Sequence, residues 1–314
     1  MEISEQVMDP GERTSFRLRS LYHEHGFTRY RMSKFEEYDL YSRNKDFLFS
    51  EGVITFTDTN GRLMALKPDV TLSIVKNVRD CSPGLQKMYY HENVYRVSDA
   101  ADGFREQTQV GLECMGAVDG ACIREVLRLA ADSLALCSGR YILEISHLDL
   151  LRSFVEAISP DDRTRDRILV CAGEKNQHGI SQICRDAGMA PGADEPLRAL
   201  LSLCGEPKKV MPRLRVLAEE NGCGDEARQL AQAAAAFAGT DMESHVWIDF
   251  SATGDIRYYN GIAFKGFLDG VPGAVLSGGQ YDSLMRRMGR KDRAVGFAVF
   301  LDRLDGAKEG NGDA

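Results

Sequence analysis

No apolar run in the 314-residue chain approaches the about 20 residues that a helix needs to cross a bilayer. The N-terminal stretch MEISEQVMDP lacks both the basic start and the apolar segment of an export signal. Membrane and secreted classes are excluded on these grounds, and a cytoplasmic location is expected. There is no surplus of positive charge: 39 Lys and Arg face 47 Asp and Glu, a formal net charge of −8. Non-specific nucleic-acid binding, which needs a concentrated basic face against the phosphates, is not expected. The eight cysteines contain no Cys-x-x-Cys pair and no adjacent histidines, so neither a disulfide framework nor a metal site is expected. No long Pro or Gly tract interrupts the chain before a polar tail at 307–314, and with 43% hydrophobic and 27% charged residues a folded globular protein is expected almost throughout.

The length exceeds the usual span of one domain, about 100–200 residues, so two structural parts are expected. Leu18, Leu21 and Tyr22 recur at helical spacing between Pro10-Gly11 and Gly26, which predicts an amphipathic helix with a glycine stop. Alternation over 52–66 around Thr59-Asn60-Gly61 predicts a hairpin, and 88–96 with 103–116 a second antiparallel pair. Residues 121–137 read as a helix. From about 150 to 239 the chain reads as helical, with helices expected over 196–204, 212–221 and 225–238, each followed by glycine. Strands return at 246–250, 257–267 and 273–276, then a helix over 282–288 and a strand or helix start at 294–301. Strand-rich, helical, strand-rich predicts an α+β domain over 1–149 and 240–306, split by a helical insertion at 150–239.

Period-2 reading of 105–114 puts Arg105, Gln107, Gln109, Gly111 and Glu113 on one face and Val110, Leu112 and Cys114 on the other. Either the polar face is solvated, or it is a ligand floor on which Gly111 permits close approach. Arg96 ends the preceding strand and falls near Arg105 across the hairpin, a pair that could meet a carboxylate or phosphate. Asp69 follows Pro68 and could pair with a ligand ammonium or simply cap a helix beginning at Val70. Tyr258-Tyr259 beside Gly261, and Gly278-Gly279 before Tyr281-Asp282, offer aromatic walls and close backbone. Taken singly, the first is as consistent with sheet packing and the second with a plain turn.

In chain order these segments read Leu66-Lys67-Pro68-Asp69-Val70-Thr71, Tyr95-Arg96, Arg105-Glu106-x-x-Gln109-x-Gly111-x-Glu113-x-x-Gly116, Tyr258-Tyr259-x-Gly261 and Gly278-Gly279-Gln280-Tyr281-Asp282. The set resembles the catalytic core of histidyl-tRNA synthetases from about residue 10 to 304, with 294–304 similar to class II motif 3. The resemblance implies a class II synthetase-like antiparallel sheet flanked by helices. It also implies a histidine pocket lined by Asp69, Thr71, Gln109, Glu113, Tyr258 and Tyr259, with Arg96 and Arg303 matching the phosphate-binding arginines.

The departures from the pattern point away from catalysis. Synthetases of this type read Arg-Gly-Leu-Asp-Tyr-Tyr where this chain has Gly254-Asp255-Ile256-Arg257-Tyr258-Tyr259, so the catalytic arginine position is Gly254. Arg257, three residues along an expected strand, would face the opposite side. Ser98 stands where an adenine-side glutamate is common, Gly103 where a basic residue is common, and Gln280 where the family has arginine. Lys67, Ser33 and Asn260 also differ, and the chain stops soon after motif 3, where synthetases carry an anticodon-binding domain. A retained pocket with lost catalytic charge resembles the regulatory subunits of short-form ATP phosphoribosyltransferase. That likeness implies no catalytic residue and no cofactor, histidine as an allosteric ligand, and a homodimer within a hetero-oligomer containing the catalytic phosphoribosyltransferase subunit. A truncated histidyl-tRNA synthetase or an amino-acid adenylating relative is the alternative reading.

Overall fold

The computed structural model describes residues 7–48, 52–97, 103–159, 161–251 and 256–304. Asp9 starts helix α1 (Pro10–Glu24) with a reciprocal cap: its carboxylate accepts the Glu12 amide at 2.7 Å, and Glu12 accepts the Asp9 amide at 3.0 Å. Gly26, at φ 81°, turns the chain out of the helix as expected.

Strands β1 (Thr28–Arg29) and β2 (Phe35–Glu37) and the short helix α2 (Tyr38–Ser42) lead to the hairpin β3 (Thr55–Thr57) and β4 (Leu63–Leu66). Helix α3 (Val70–Asn77) then precedes the long hairpin of β5 (Leu85–Val97) and β6 (Phe104–Gly116). Helix α4 (Gly120–Cys137), capped by Asp119, is followed by β7 (Tyr141–His147). Six helices come next: α5 (Leu148–Ile158), α6 (Asp162–Gly173), α7 (Gln177–Asp186), α8 (Glu195–Leu201), α9 (Pro207–Glu220) and α10 (Gly224–Ala234). The chain returns through β8 (Val246–Ile248), β9 (Asn260–Leu268), β10 (Leu276–Gln280), α11 (Asp282–Arg287) and β11 (Arg293–Phe300).

Eight strands form one sheet in the order β1-β5-β6-β11-β10-β9-β7-β8, and β2-β4-β3 form a separate small one. The large sheet is antiparallel through its centre, but the edge pairs β1/β5 and β7/β8 are parallel, so it is mixed rather than antiparallel throughout. Register fixes its two faces. Leu112 pairs with Phe297 and Tyr89, and this side packs under α1 and α4: the Tyr22 ring lies edge-on to Phe297 at 5.8 Å. Gly111 and Glu113 point to the other side, which carries the cleft described below.

Several sequence expectations need correction. The sequence reading assigns no element to 138–149, where β7 forms with Tyr141, Leu143 and Ile145 alternating inward. The hairpin at 52–66 forms, yet all three residues of β3 are exposed, so its alternation does not mark a buried face. Helix α9 begins at Pro207, and Pro212 lies inside it; either proline suits a first turn, and the upstream one holds that position. Helix α8 ends at Leu201, and Gly205 exchanges backbone bonds with Ile248 instead of capping it. Gly278-Gly279 is buried strand, not a turn. A Cβ on Gly278 would stand 2.4 Å from Phe297 Cβ, so the glycine serves close approach between strands. Tyr258 and Tyr259 precede β9 rather than lying within it, and residues 294–301 resolve as strand. Among the described residues no helix is long and apolar enough to cross a membrane.

Candidate functional site

Three strands and a helix start build one cleft. On β6, Gln109, Gly111 and Glu113 project from alternate positions; on β11, Gly296, Ala298 and Phe300 lie directly beside Glu113, Gly111 and Gln109. On β10, Ser277 lies beside Ala298 and Gly279 beside Gly296. The floor is therefore low, because small residues occupy its centre. The cleft encloses about 400 Å³, part of it open to solvent, and its walls include Asp69, Thr71, Tyr90, Arg96, Tyr258, Tyr259 and Tyr281.

Glu113 is the best-held side chain in it. Only 2% exposed, it accepts the Thr71 hydroxyl on Oε1 at 2.9 Å and the Tyr281 hydroxyl on Oε2 at 2.6 Å. Burial pushes its pKa up to about 8, outweighing the two hydrogen bonds that favour the carboxylate. Gly296 makes the seat possible: a Cβ there would fall 1.8 Å from Glu113 Oε2. Asp69 takes the capping role that the sequence left open and also lines the cleft. It caps α3 by accepting the Leu72 amide at 2.8 Å, and its buried carboxyl lines the cleft with its pKa raised by desolvation. Gln109 is 4% exposed, and its Nε2 has no hydrogen-bond partner among the described residues.

Arg96 lines the cleft, and its Nε donates to the Pro68 carbonyl at 3.1 Å; burial lowers its pKa from the ordinary arginine value. Tyr258 and Tyr259 meet at 4.8 Å, nearly perpendicular, with Tyr281 tilted against Tyr258 at 6.4 Å. A Cβ on Gly279 would approach Tyr259 Cγ to 2.9 Å, so this glycine seats the tyrosine wall.

The six residues expected around the pocket thus converge, together with Arg96. The other two arginines do not line it. Arg105 pairs with Arg96 across the hairpin but is exposed. Arg303, also exposed, donates to the Ala274 carbonyl and lies over the Phe300 ring at 4.8 Å. Tyr90, Ser277 and Tyr281 were not singled out as ligand contacts. Tyr281 sits in the Gly-Gly-Gln-Tyr-Asp run and could have been, whereas Tyr90 and Ser277 become legible only once strand register is known.

The positions that depart from the synthetase pattern have structural tasks. Gln280 Oε1 accepts the Ile262 amide at 2.8 Å at a β-bulge, and fills the space a Cβ on Gly261 would take. Asn260 accepts the Ser283 amide at 3.1 Å, and fully buried Lys67 pairs with Glu92 at 2.9 Å. Arg257 sits in a turn rather than a strand and reaches outward to Asp166 at 3.3 Å, so it does not stand in at the cleft. Gly254 and Ser98 lie outside the described residues.

Two buried carboxyls, one guanidinium and one unpaired amide donor around a tyrosine-walled space can hold a zwitterion with a hydrogen-bonding side chain. Among the described residues no group of His, Cys, Asp and Glu is placed to hold a metal ion.

Comparison with known proteins agrees with this arrangement. An ATP phosphoribosyltransferase regulatory subunit of Clostridium kluyveri is 27% identical over 308 residues, covering 94% of this chain and 77% of that protein. A Bacillus halodurans structure described as an ATP phosphoribosyltransferase regulatory subunit/histidyl-tRNA synthetase superposes with a TM-score of 0.80 at 20% identity, over 98% of this chain and 81% of the other. A chain of the Thermotoga maritima ATP phosphoribosyl transferase (HisG:HisZ) complex gives 0.72 at 19% identity, over 94% and 98%. The histidyl-tRNA synthetase family model matches residues 3–304. With residues 3–304 of the 314 matched, this protein belongs to the histidyl-tRNA synthetase family.

Proposed function

We propose that this chain is a non-catalytic regulatory subunit of ATP phosphoribosyltransferase. In this reading it associates as a homodimer with the catalytic subunit in the cytoplasm, is required for that subunit's activity, and carries histidine feedback on the first step of histidine biosynthesis. Histidine is its ligand, and no cofactor is needed. The observation that carries the reading is the preorganised Glu113, pinned by Thr71 and Tyr281 in a cleft where Gln109 Nε2 has no hydrogen-bond partner among the described residues. An imidazole N–H suits the first group and an α-carboxylate the second. Relatives named as regulatory subunits support the partner.

Feedback requires histidine to bind the active and inhibited states of the complex unequally. Purified with the catalytic phosphoribosyltransferase of the same organism, with assembly checked by sizing, the chain is expected to raise its rate, and histidine to lower it. A coupling of about 1–3 kcal/mol corresponds to roughly 5–150-fold sensitivity. Gln109→Ala should blunt the histidine response while leaving most of the activation. An assembled wild-type complex whose rate ignores histidine would refute the sensor role.

Catalysis of adenylate formation is expected to be absent. Removing one preorganised positive group at a developing charge costs on the order of 10²–10³ in rate, and in this sequence the arginine position is Gly254, with Ser98 and Gln280 altered as well. Histidine-dependent ATP–pyrophosphate exchange should stay at background, and Gly254→Arg alone should not restore it, because the seat of Gln280 against Gly261 is built for a short amide. Robust exchange by the wild-type chain would instead identify an adenylating enzyme.

A further inference from the structure

Strand register places Tyr90, Gly111, Ala298 and Ser277 in one row across β5, β6, β11 and β10, on the face that carries the cleft. The Tyr90 phenol lies over Gly111, where a Cβ would stand 2.4 Å from its oxygen. Only the Ala298 methyl then separates that phenol from Ser277, with neighbouring strands about 5 Å apart. The Ser277 side chain lines the cleft at 9% exposure, and its Oγ is buried with no hydrogen-bond partner among the described residues. Its backbone is fixed in the centre of the sheet by β9 on one side and β11 on the other.

A buried hydroxyl without a partner destabilises the protein that carries it. The neighbours of Ser277 in the row are Ala298 on β11 and Lys265 on β9, and of these only Ala298 lines the cleft, so a molecule lying on Ala298 meets the hydroxyl from the cleft side. We propose that Ser277 is a ligand-contact and specificity-determining residue, its hydroxyl completing a hydrogen bond with a polar side-chain atom of the bound amino acid. This rests on the reading of the cleft as an amino-acid site. It adds a selection rule: an amino acid with an apolar side chain of similar shape leaves Ser277 unpaired and is disfavoured, since a site built around a buried polar group rejects ligands that cannot pair it.

Ser146 supplies an internal control. It is also buried, and its hydroxyl is also unpartnered among the described residues, but it lies on β7 and does not line the cleft. The test is calorimetric titration of the full chain with L-histidine, paired with thermal melts without ligand, for wild type, Ser277→Ala and Ser146→Ala. Ser277→Ala is expected to weaken histidine binding about 3- to 10-fold, the usual range for one neutral hydrogen bond. Its melting temperature without ligand should equal or exceed that of wild type, because an unpaired buried group is removed. Ser146→Ala should bind as wild type does. Wild-type binding of histidine with unchanged affinity in Ser277→Ala would overturn the inference and leave the pocket reading intact. Equal weakening in both variants would overturn it as well, by tracing the effect to the sheet. No histidine binding by wild type would overturn the pocket reading and this inference with it.

Discussion

Gly296→Ala is expected to reduce histidine binding by roughly 10- to 100-fold and to lower stability, although it adds a single methyl group. The added Cβ would stand 1.8 Å from Glu113 Oε2 and 2.5 Å from the Leu112 carbonyl oxygen. The carbonyl belongs to the adjoining strand and cannot yield without parting β11 from β6. Glu113 can yield only by leaving Thr71 and Tyr281, which would strand a buried carboxyl without its donors. Overpacking of this kind costs about 1–3 kcal/mol, and loss of the two hydrogen bonds to the protonated carboxyl about 0.5–1.5 kcal/mol each. The second term falls on the group expected to meet the imidazole, so affinity suffers more than the fold. Calorimetry and a thermal melt of the same preparation separate the two effects. A variant that folds and binds histidine as tightly as wild type would mean that Glu113 is not the group the ligand meets.

Gly296 also illustrates what could and could not be read from sequence. Alternation over 105–114 carries its own meaning, since inward and outward positions of a strand follow from chain geometry alone. The polar stripe with Gln109 and Glu113 was therefore legible, as was its hairpin with Arg96. Which glycine on which other strand makes room for Glu113 depends on β11 pairing with β6 across roughly 180 positions of sequence, and no local pattern encodes that register. Ser277 was missed for the same reason. Of the two readings open for Gly278-Gly279, the plain turn gives way to close backbone approach, because tertiary contact with Phe297 and Tyr259 demands the missing side chains. Arg303 followed the family motif into the candidate list, but its guanidinium is engaged with Ala274 and Phe300 outside the cleft lining.

The buried state of Glu113 makes stability depend on pH in a direction that identifies it. Its pKa rises from the ordinary 4.5 to about 8 in the folded chain because burial disfavours the charge. Between about pH 4.5 and 8 the native state therefore holds a proton that the unfolded chain has released. Stability rises with pH only where the unfolded state binds more protons, so here the contribution is complete below the unfolded pKa and is lost as pH climbs through the folded one. The local slope approaches about 1.4 kcal/mol per pH unit. Glu113→Gln cannot ionise and retains an amide oxygen for one of the two donors, so its stability should lack this term. Urea unfolding of both proteins at several values from pH 5 to 8 isolates it from the groups that do not interact with Glu113; Asp69, whose charge helps to raise Glu113, contributes to the difference as its coupled partner. The advantage of wild type over Glu113→Gln should shrink steadily as pH rises; parallel curves would mean that the carboxyl is already ionised at pH 5. Saturating histidine should flatten the wild-type slope, because an imidazole N–H donated to Glu113 favours the carboxylate and draws its folded pKa back down.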